Sequence, residues 1–360
     1  MLIENAASFY PGKLPAPRNA WYVVGFSNEV TSKPMSRRIL GDRVVLYRTD
    51  DGRAVMLADY CAHRAMALSL GKVVCGDRIQ CAYHGLEFEP SGDCVKVPSQ
   101  VQIPRQMKVR SYPVAERWDW IWAWMGEPAL ADEGLIPDHQ AFGLADDDGF
   151  HKTQRFLMGI GGSYQLLHEN LLDVSHITFL HEGYFDSGKI AETPARTEIV
   201  GDGSIRISRT VEEVVTGPYA KQFGLPDGVR VHRELISQTW VPSLNVVTNI
   251  FSFPDDPDRA PAIRHAPFGI TPETDTSCHY FVAAASNYGA KLEGDALAAQ
   301  NQVVWDVFLT DREAIESIQT SYNELGAATP DTSVRADEAA LRFRRMLIAK
   351  VSEEAGPVVA

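Results

Sequence analysis

Four polar side chains interrupt the apolar stretch HENLLDVSHITFLH at residues 168–181: Asn170, Asp173, His176 and His181. One of them could be a hydrogen-bonded core residue, but four so close together cost several kcal/mol of desolvation unless something pairs with them. A metal ion is one candidate partner. His176 and His181 are five positions apart, about 140° on an ideal helix. They can converge only if the helix is broken or distorted between them, as happens at functional sites. Two histidines and one carboxylate on one face of Fe(II), with other positions open, make an oxygen-activating site. The carboxylate must come from elsewhere. In the helical pattern over 301–320, Val304, Val307, Phe308, Ile315 and Ile318 form one apolar stripe, and Asp311 falls inside it. Asp306 and Glu313 fall opposite, and Glu316 to one side. A carboxylate on a buried face needs a cation or hydrogen bonds, which makes Asp311 the expected third ligand. The plainer alternative is a salt bridge to Arg344 or Arg345.

A second constellation lies earlier in the chain, where CAHRAM begins at Cys61 and CAYHG at Cys81. Cys61, His63, Cys81 and His84 form a CxH and a CxxH arm, each expected at the tip of a loop between strands. Two thiolates and two imidazoles could hold tetrahedral zinc, although zinc sites more often group cysteine with cysteine and histidine with histidine. The mixed arms, together with SLG at 69–71 and HGLEF after Cys81, resemble the Rieske [2Fe-2S] family. That resemblance implies that Cys61 and Cys81 hold one iron and His63 and His84 the other, with a potential raised by the loss of two thiolate charges. Cys75, Cys94 and Cys278 stand outside the pattern and read as ordinary buried thiols.

The elements that must position these residues fall into two kinds. Residues 1–128 read as short strands and turns, with hairpins at TDDG and PSGD, and form an all-β domain. WDWIWAWMG places Trp118, Trp120, Trp122 and Trp124 on one side of a strand, as a core face. The acidic, turn-rich segment 129–151 reads as a linker. From 152 to 360 the chain reads as a helical SYQLLHENLLDVSHI, four strands (SIRISRTVEEVV, RELISQTWV, LNVVTNIFSF, CHYFVAAASNY) and two closing helices, a sheet flanked by helices. GIGGS at 159–163 lacks the Lys and Ser/Thr of a phosphate loop and reads as a turn or close packing point. The fold class is α+β.

At 360 residues the chain has room for two cores. Its net charge of -13 repels phosphate backbones, which excludes nucleic acid as a partner. The opening MLIENAASFYPGK has neither the basic start nor the apolar run of a signal peptide, and no stretch approaches the ~20 apolar residues of a membrane span. The expected location is the cytoplasm, whose reducing conditions turn the five cysteines toward metal binding before disulfides.

A Rieske centre alone would make the chain an electron carrier, which leaves the long second half and its histidines without a purpose. Over residues 15 to 350 the chain resembles the oxygenase component of Rieske non-heme iron oxygenases. NLLDVSHITFLH, FLTDREAIESIQ, the WYVVGFSNEV opening and FGITPETDTS place it nearest the vanillate and dicamba O-demethylase branch. The resemblance implies a helix-grip-like catalytic domain holding mononuclear Fe(II) and a homotrimer in which one subunit's cluster faces the next subunit's iron. It also implies that Asp173 bridges a cluster histidine, His84, to an iron-bound one, with Asn170 near the iron. Electrons would come from NAD(P)H through a separate reductase, with or without a ferredoxin, since the chain has no dinucleotide fingerprint. The implied reaction is O2-dependent removal of an alkyl group from an aromatic O-methyl or N-alkyl compound. The alternative is ring cis-dihydroxylation. Asn249 and His265 are candidates for polar contacts to the substrate.

Overall fold

The computed structural model describes residues 15–138, 142–144, 149–201, 203–289 and 291–355. The chain separates into two units: one of Pro17–Ile136 with Thr271–Thr274, and one that takes most of the remainder from Pro137 onward. Of the expected linker 129–151, positions 139–141 and 145–148 lie outside the described residues.

The first unit is all β. Trp21–Phe26 (β1), Val114–Arg117 (β10) and Trp120–Trp124 (β11) make one sheet; Met35–Ile39 (β2), Asp42–Arg48 (β3), Ala54–Ala58 (β4) and Ser111–Tyr112 (β9) make a second; Lys72–Val74 (β5), Arg78–Gln80 (β6), Glu87–Phe88 (β7) and Cys94–Lys96 (β8) make a third. The TDDG and PSGD hairpins form as read, β3 with β4 and β7 with β8. Trp120, Trp122 and Trp124 share a buried face at 1%, 0% and 2% exposure, so that aromatic stripe is core. Trp118 is not on it. With Asp119 it takes positive φ, 53° and 67°, in the two-residue turn that joins Arg117 to its partner Trp120, and two positive φ values are the signature of a turn that matches strand twist. Cys75 likewise departs from expectation. It sits at φ 53° beside Gly76, in the turn after β5, and the turn exposes its thiol, whereas Cys94 and Cys278 are buried.

The second unit is built on a seven-stranded sheet. His151–Ile160 (β12), Arg196–Ile199 (β13), Ile205–Val215 (β14), Val229–Trp240 (β15), Leu244–Ser252 (β16), Ala262–Thr274 (β17) and Ser277–Ser286 (β18) run in the order β12-β18-β17-β16-β15-β14-β13. β12, β13 and β17 are additions to the four strands legible in sequence. β17 was hidden because Pro267 and Pro272 interrupt its apolar pattern, and proline ordinarily demotes a strand.

Helix Tyr164–Leu172 (α1) stops at Asp173, where the backbone turns to φ -120°, ψ 87°. A 3-10 turn, Val174–His176, and a single helical turn, Ile177–Leu180 (α2), follow. Gly217–Phe223 (α3) crosses between strands, and Gly294–Leu325 (α4) and Glu338–Ala355 (α5) close the unit. On α4 the buried positions are Val304, Val307, Asp311, Ile315, Gln319 and Tyr322. Ile318, expected on that face, is 46% exposed while Gln319 is 2%: the stripe advances by fours after Asp311, and Gln319 takes the place the apolar pattern assigned to Ile318.

The GIGGS turn explains how α1 is set against α4. A Cβ on Gly162 would lie 2.5 Å from Ile315 Cγ2, so only glycine permits this approach. Gly161 N–H donates to Glu316 Oε1 at 2.8 Å and Ser163 N–H to Gln319 Oε1 at 2.9 Å, and Ser163 then caps α1 through Gln165 N–H. From the other side Arg344 of α5 pairs with Glu169 at 2.6 and 2.7 Å, which takes it away from Asp311.

His168 lies at 0% exposure against Phe343, ring centroids 4.7 Å apart, and its Nε2–H donates to the Pro242 carbonyl at 2.9 Å. Burial pulls its pKa down from 6.5 to about 3. The unfolded chain therefore binds this proton more readily than the folded one, and stability falls as pH drops below the unfolded value. Urea unfolding is expected to show a loss of about 2 kcal/mol from His168 between pH 7.5 and 5.0. His168→Gln should lack that portion of the slope; an unchanged slope would remove His168 as its source.

Candidate metal centres

In the first unit the two cysteine arms share one backbone design. Cys61 N–H donates to Met66 O at 2.7 Å and Ala65 N–H to Cys61 O at 2.9 Å; Cys81 N–H donates to Leu86 O at 2.8 Å and Gly85 N–H to Cys81 O at 3.1 Å. Ala65 and Gly85, equivalent in this scheme, both take positive φ. The cysteines face inward at 3% and 2% exposure, the histidines are exposed, and the rings of His63 and His84 lie 4.6 Å apart. Burial pushes the Cys61 thiol up to about 11, with Cys81 beside it. Such a pair gives up its protons readily only to a metal.

The SLG stretch clamps both arms. Ser69 donates through N–H and Oγ to the carboxylate of Asp59, two residues before Cys61, at 2.7 and 2.9 Å. A Cβ on Gly71 would sit 2.0 Å from the carbonyl oxygen of Gln80, the residue before Cys81. Glycine is required there because the other arm passes through the space a side chain would fill.

In the second unit His176, His181 and Asp311 converge, with one ligand atom of each within 4.8 Å of the others. The distortion expected between the histidines sits at the ends of their segment. His176 closes the 3-10 turn, and His181 leaves α2 at φ -118°, ψ 38°. His176 Nδ1–H donates to the Asp173 carbonyl at 2.6 Å. Thr310 Oγ1 gives its own proton to Val307 O at 2.7 Å, so at 3.0 Å it accepts from His181 Nδ1–H. Both tautomers are thereby fixed, and each bare Nε2 points at Asp311, at 3.5 and 3.2 Å. Burial holds the His176 pKa below its usual value. Two lone pairs and a carboxylate turned on one another repel unless a cation lies between them, so the donor set fits a divalent metal, with partners on the far nitrogens that orient the rings.

Around the centre, Asn170 Nδ2 donates to Asp311 Oδ1 at 3.2 Å, while Asn170 Oδ1 is buried with no partner. Asp173 is half-buried; its carboxylate accepts from Ser175 N–H at 3.0 Å and lies 3.6 Å from Arg209. Its carbonyl, and not its carboxylate, receives His176.

A cavity of about 690 Å³ opens from the triad, lined chiefly by apolar and aromatic side chains such as Phe185, Phe268, Tyr280 and Phe308. Asn249 lines it, its Oδ1 held by Arg233 at 2.9 and 2.6 Å. His265 is not among the lining residues; its Nδ1 meets Thr248 Oγ1 at 2.8 Å. Arg233 and Arg264 also reach the cavity, and sequence reasoning missed both. Their signal was an arginine in phase with inward-facing neighbours, Val231 and Leu235 on β15, Ala262 on β17. Thr310 was missed as well, for lack of any local pattern.

Comparison with known proteins gives a Rieske [2Fe-2S] domain over residues 20–113 and a vanillate O-demethylase oxygenase C-terminal domain over residues 160–353. The chain is 34% identical to the dicamba O-demethylase oxygenase component of Stenotrophomonas maltophilia, covering 91% of this chain and 96% of that one. It is 32% identical to the vanillate O-demethylase oxygenase subunit of Pseudomonas sp. strain HR199, covering 84% and 86%. Dicamba monooxygenase bound to 3,6-dichlorosalicylic acid superposes with a TM-score of 0.84 at 31% identity, over 94% of this chain and 99% of that one; the same enzyme with non-heme iron and dicamba gives 0.77, at 31% identity over 94% and 98%.

Proposed function

The chain belongs to the Rieske non-heme iron oxygenases, as an oxygenase component of the vanillate O-demethylase type, and on that premise we propose that it removes an alkyl group from an aromatic O-methyl or N-alkyl compound. Its cofactors are a Rieske [2Fe-2S] cluster and a mononuclear iron. The observation that carries the reading is the convergence of His176, His181 and Asp311 on the wall of a cavity lined by aromatic side chains.

Cys61, His63, Cys81 and His84 hold the cluster, and His176, His181 and Asp311 the single iron. When bound, the two centres supply electrons one at a time and a reduced-oxygen oxidant beside the substrate. The chain's own residues set the conditions. Asp173 O and Thr310 fix the ring nitrogens, Asn170 orients the Asp311 carboxylate, and the stacked rings of Tyr280 and Phe308, 5.8 Å apart, help keep the cavity dry. Hydroxylation of an O-methyl carbon gives a hemiacetal, which collapses to a phenol and formaldehyde.

In this reading residues 1–128 form the cluster domain and 152–360 the catalytic domain, joined through 129–151. The partners are O2, an aromatic substrate and a separate NAD(P)H-dependent reductase, with or without a ferredoxin. The assembly is a cytoplasmic homotrimer in which His84 of one subunit approaches Asp173 of the next, whose half-exposed carboxylate is open to it. Among the described residues no helix is long and apolar enough to cross a membrane.

The test is formaldehyde release with matched NADH and O2 consumption on methoxybenzoates, N-methyl aromatics and unsubstituted aromatics, with a surrogate reductase. Formaldehyde in step with NADH supports dealkylation; cis-diol without aldehyde overturns it. Asp173 has its own test. Asn keeps the cap of the 3-10 turn but not the charge facing the buried Arg209, so a purely structural Asp173 predicts that Asp173→Asn lowers stability and metal content together with turnover. As an electron bridge it predicts both metals retained and turnover lower by on the order of 100-fold.

A further inference from the structure

Arg233 and Glu213 form an ion pair inside the second unit, each 1% exposed. They stand at inward positions of β15 and β14, where the neighbours in phase are Val231, Leu235, Val211 and Val215. A buried pair of this kind adds little stability over apolar side chains of the same volume, because desolvation offsets the attraction. What it supplies is a fixed set of directed hydrogen bonds, and here these lead toward the candidate iron site.

The ligand His181 follows α2, and from there to β13 at Arg196 the chain has no helix or strand. Glu182, Gly183, Tyr184, Ser187 and Gly188 are exposed. Four and six residues after His181 this segment reaches the pair. Arg233 Nη1 donates to the Phe185 carbonyl at 2.5 Å, and Ser187 donates to Glu213 Oε2 through its N–H at 3.2 Å and its hydroxyl at 2.6 Å. The Tyr219 hydroxyl joins the two charges, donating to Glu213 Oε1 at 2.6 Å and accepting from Arg233 at 3.1 Å. Anchored by its carbonyl, Phe185 sets its ring nearly perpendicular to the His181 imidazole, at 85° with centroids 5.3 Å apart. His181 is thus held from two directions, by Thr310 at Nδ1 and by Phe185 against the ring.

The same guanidinium faces the cavity. Its Nε and Nη2 both donate to Asn249 Oδ1, at 2.9 and 2.6 Å, which occupies the oxygen and leaves the N–H groups of Asn249 for the cavity it lines. One side chain thereby fixes a residue of the cavity wall and the segment that leaves an iron ligand. A lysine could not do both, since a single ammonium lacks the rigid fork of donors.

We propose that Arg233, steadied by Glu213, is a positioning residue of the iron centre, which sets the His181 imidazole through Phe185 and, by the same fork, the direction of the Asn249 amide. The proposal rests on the reading of His176, His181 and Asp311 as metal ligands, and is independent of the reaction assigned to them. It extends the support of the centre to residues that touch no ligand atom.

The test is titration of the protein with Co(II) against a chelator, with the cluster in place and the mononuclear iron removed. The EPR signal of Co(II) is read with the cluster oxidised, when its two ferric irons couple to no net spin. Wild type is expected to bind one Co(II) per chain outside the cluster. Arg233→Lys keeps a positive charge beside Glu213 but should bind Co(II) about tenfold more weakly, with an altered EPR signal. Ser187→Ala, at an exposed site that folding tolerates, removes one hydrogen bond to Glu213 and should weaken Co(II) about threefold. If Arg233→Lys does not fold, Ser187→Ala decides the matter alone. A merely structural pair predicts a lower unfolding temperature of the metal-free variants, with Co(II) affinity and EPR signal as in wild type; that result overturns the proposal and leaves the metal centre standing. A wild type that binds no Co(II) outside the cluster removes the metal-ligand reading and the proposal with it.

Discussion

Asp311→Ala is expected to remove the mononuclear iron, leave the cluster's visible spectrum intact and lower turnover by at least on the order of 1000-fold, more than loss of an outer-shell partner costs. Iron per chain should fall by one atom. The rival view makes Asp311 a structural partner of a protonated histidine, and the two differ in the metal-free protein. Breaking a buried ion pair costs about 3–5 kcal/mol, so a structural Asp311 predicts a large drop in the unfolding temperature of the apo form. The geometry predicts otherwise. The Nδ1 protons of His176 and His181 are committed to Asp173 O and Thr310, so their Nε2 atoms meet the carboxylate as lone pairs at 3.5 and 3.2 Å. Without metal that meeting is repulsive, so apo Asp311→Ala should lose at most the hydrogen bond from Asn170, about 1–3 kcal/mol before relief of the repulsion is counted, and unfold little lower than apo wild type. Iron retained with full turnover would sink the assignment.

His63→Cys is expected to move the visible spectrum toward that of an all-cysteine cluster and to lower the reduction potential by roughly half of the several-hundred-millivolt gap between Rieske and plant-type centres, since one of the two histidines is replaced. The added thiolate brings one more negative charge to an exposed position, since His63 and His84 lie on the solvent side of the pair while Cys61 and Cys81 are buried. Each 59 mV is a factor of ten in a one-electron equilibrium, so transfer to the second iron should be altered along with the potential. Redox titration of the purified protein reads the shift directly; an unchanged spectrum and potential would remove His63 from the cluster.

Both sets of proposed ligands were legible in the sequence because each is written locally. The two arms are six-residue loops whose residue types suffice to name the chemistry, and Asp311 betrays itself as a carboxylate in phase with Val304, Val307 and Ile315 on one helix. Strands with regular alternation were legible for the same reason. β17 was not, because its prolines mask the pattern, and Trp118 and Cys75 were misplaced because a turn's positive φ overrides the alternation their neighbours suggest.

What the sequence determined by itself was therefore the ligand types, the two kinds of domain and the helix that carries Asp311, all set by side-chain chemistry and by periods of two or 3.6 residues. Only the tertiary structure decided which nitrogen each histidine presents, since Thr310 lies 129 positions from His181. It also decided that Arg344 goes to Glu169, 175 positions away, and that Arg233 and Arg264, on separate strands, reach one cavity. Such partners depend on strand register and on close approaches like that of Gly162 to Ile315. These exist only once the sheet and helices have closed around a common core, and no short-range pattern encodes them.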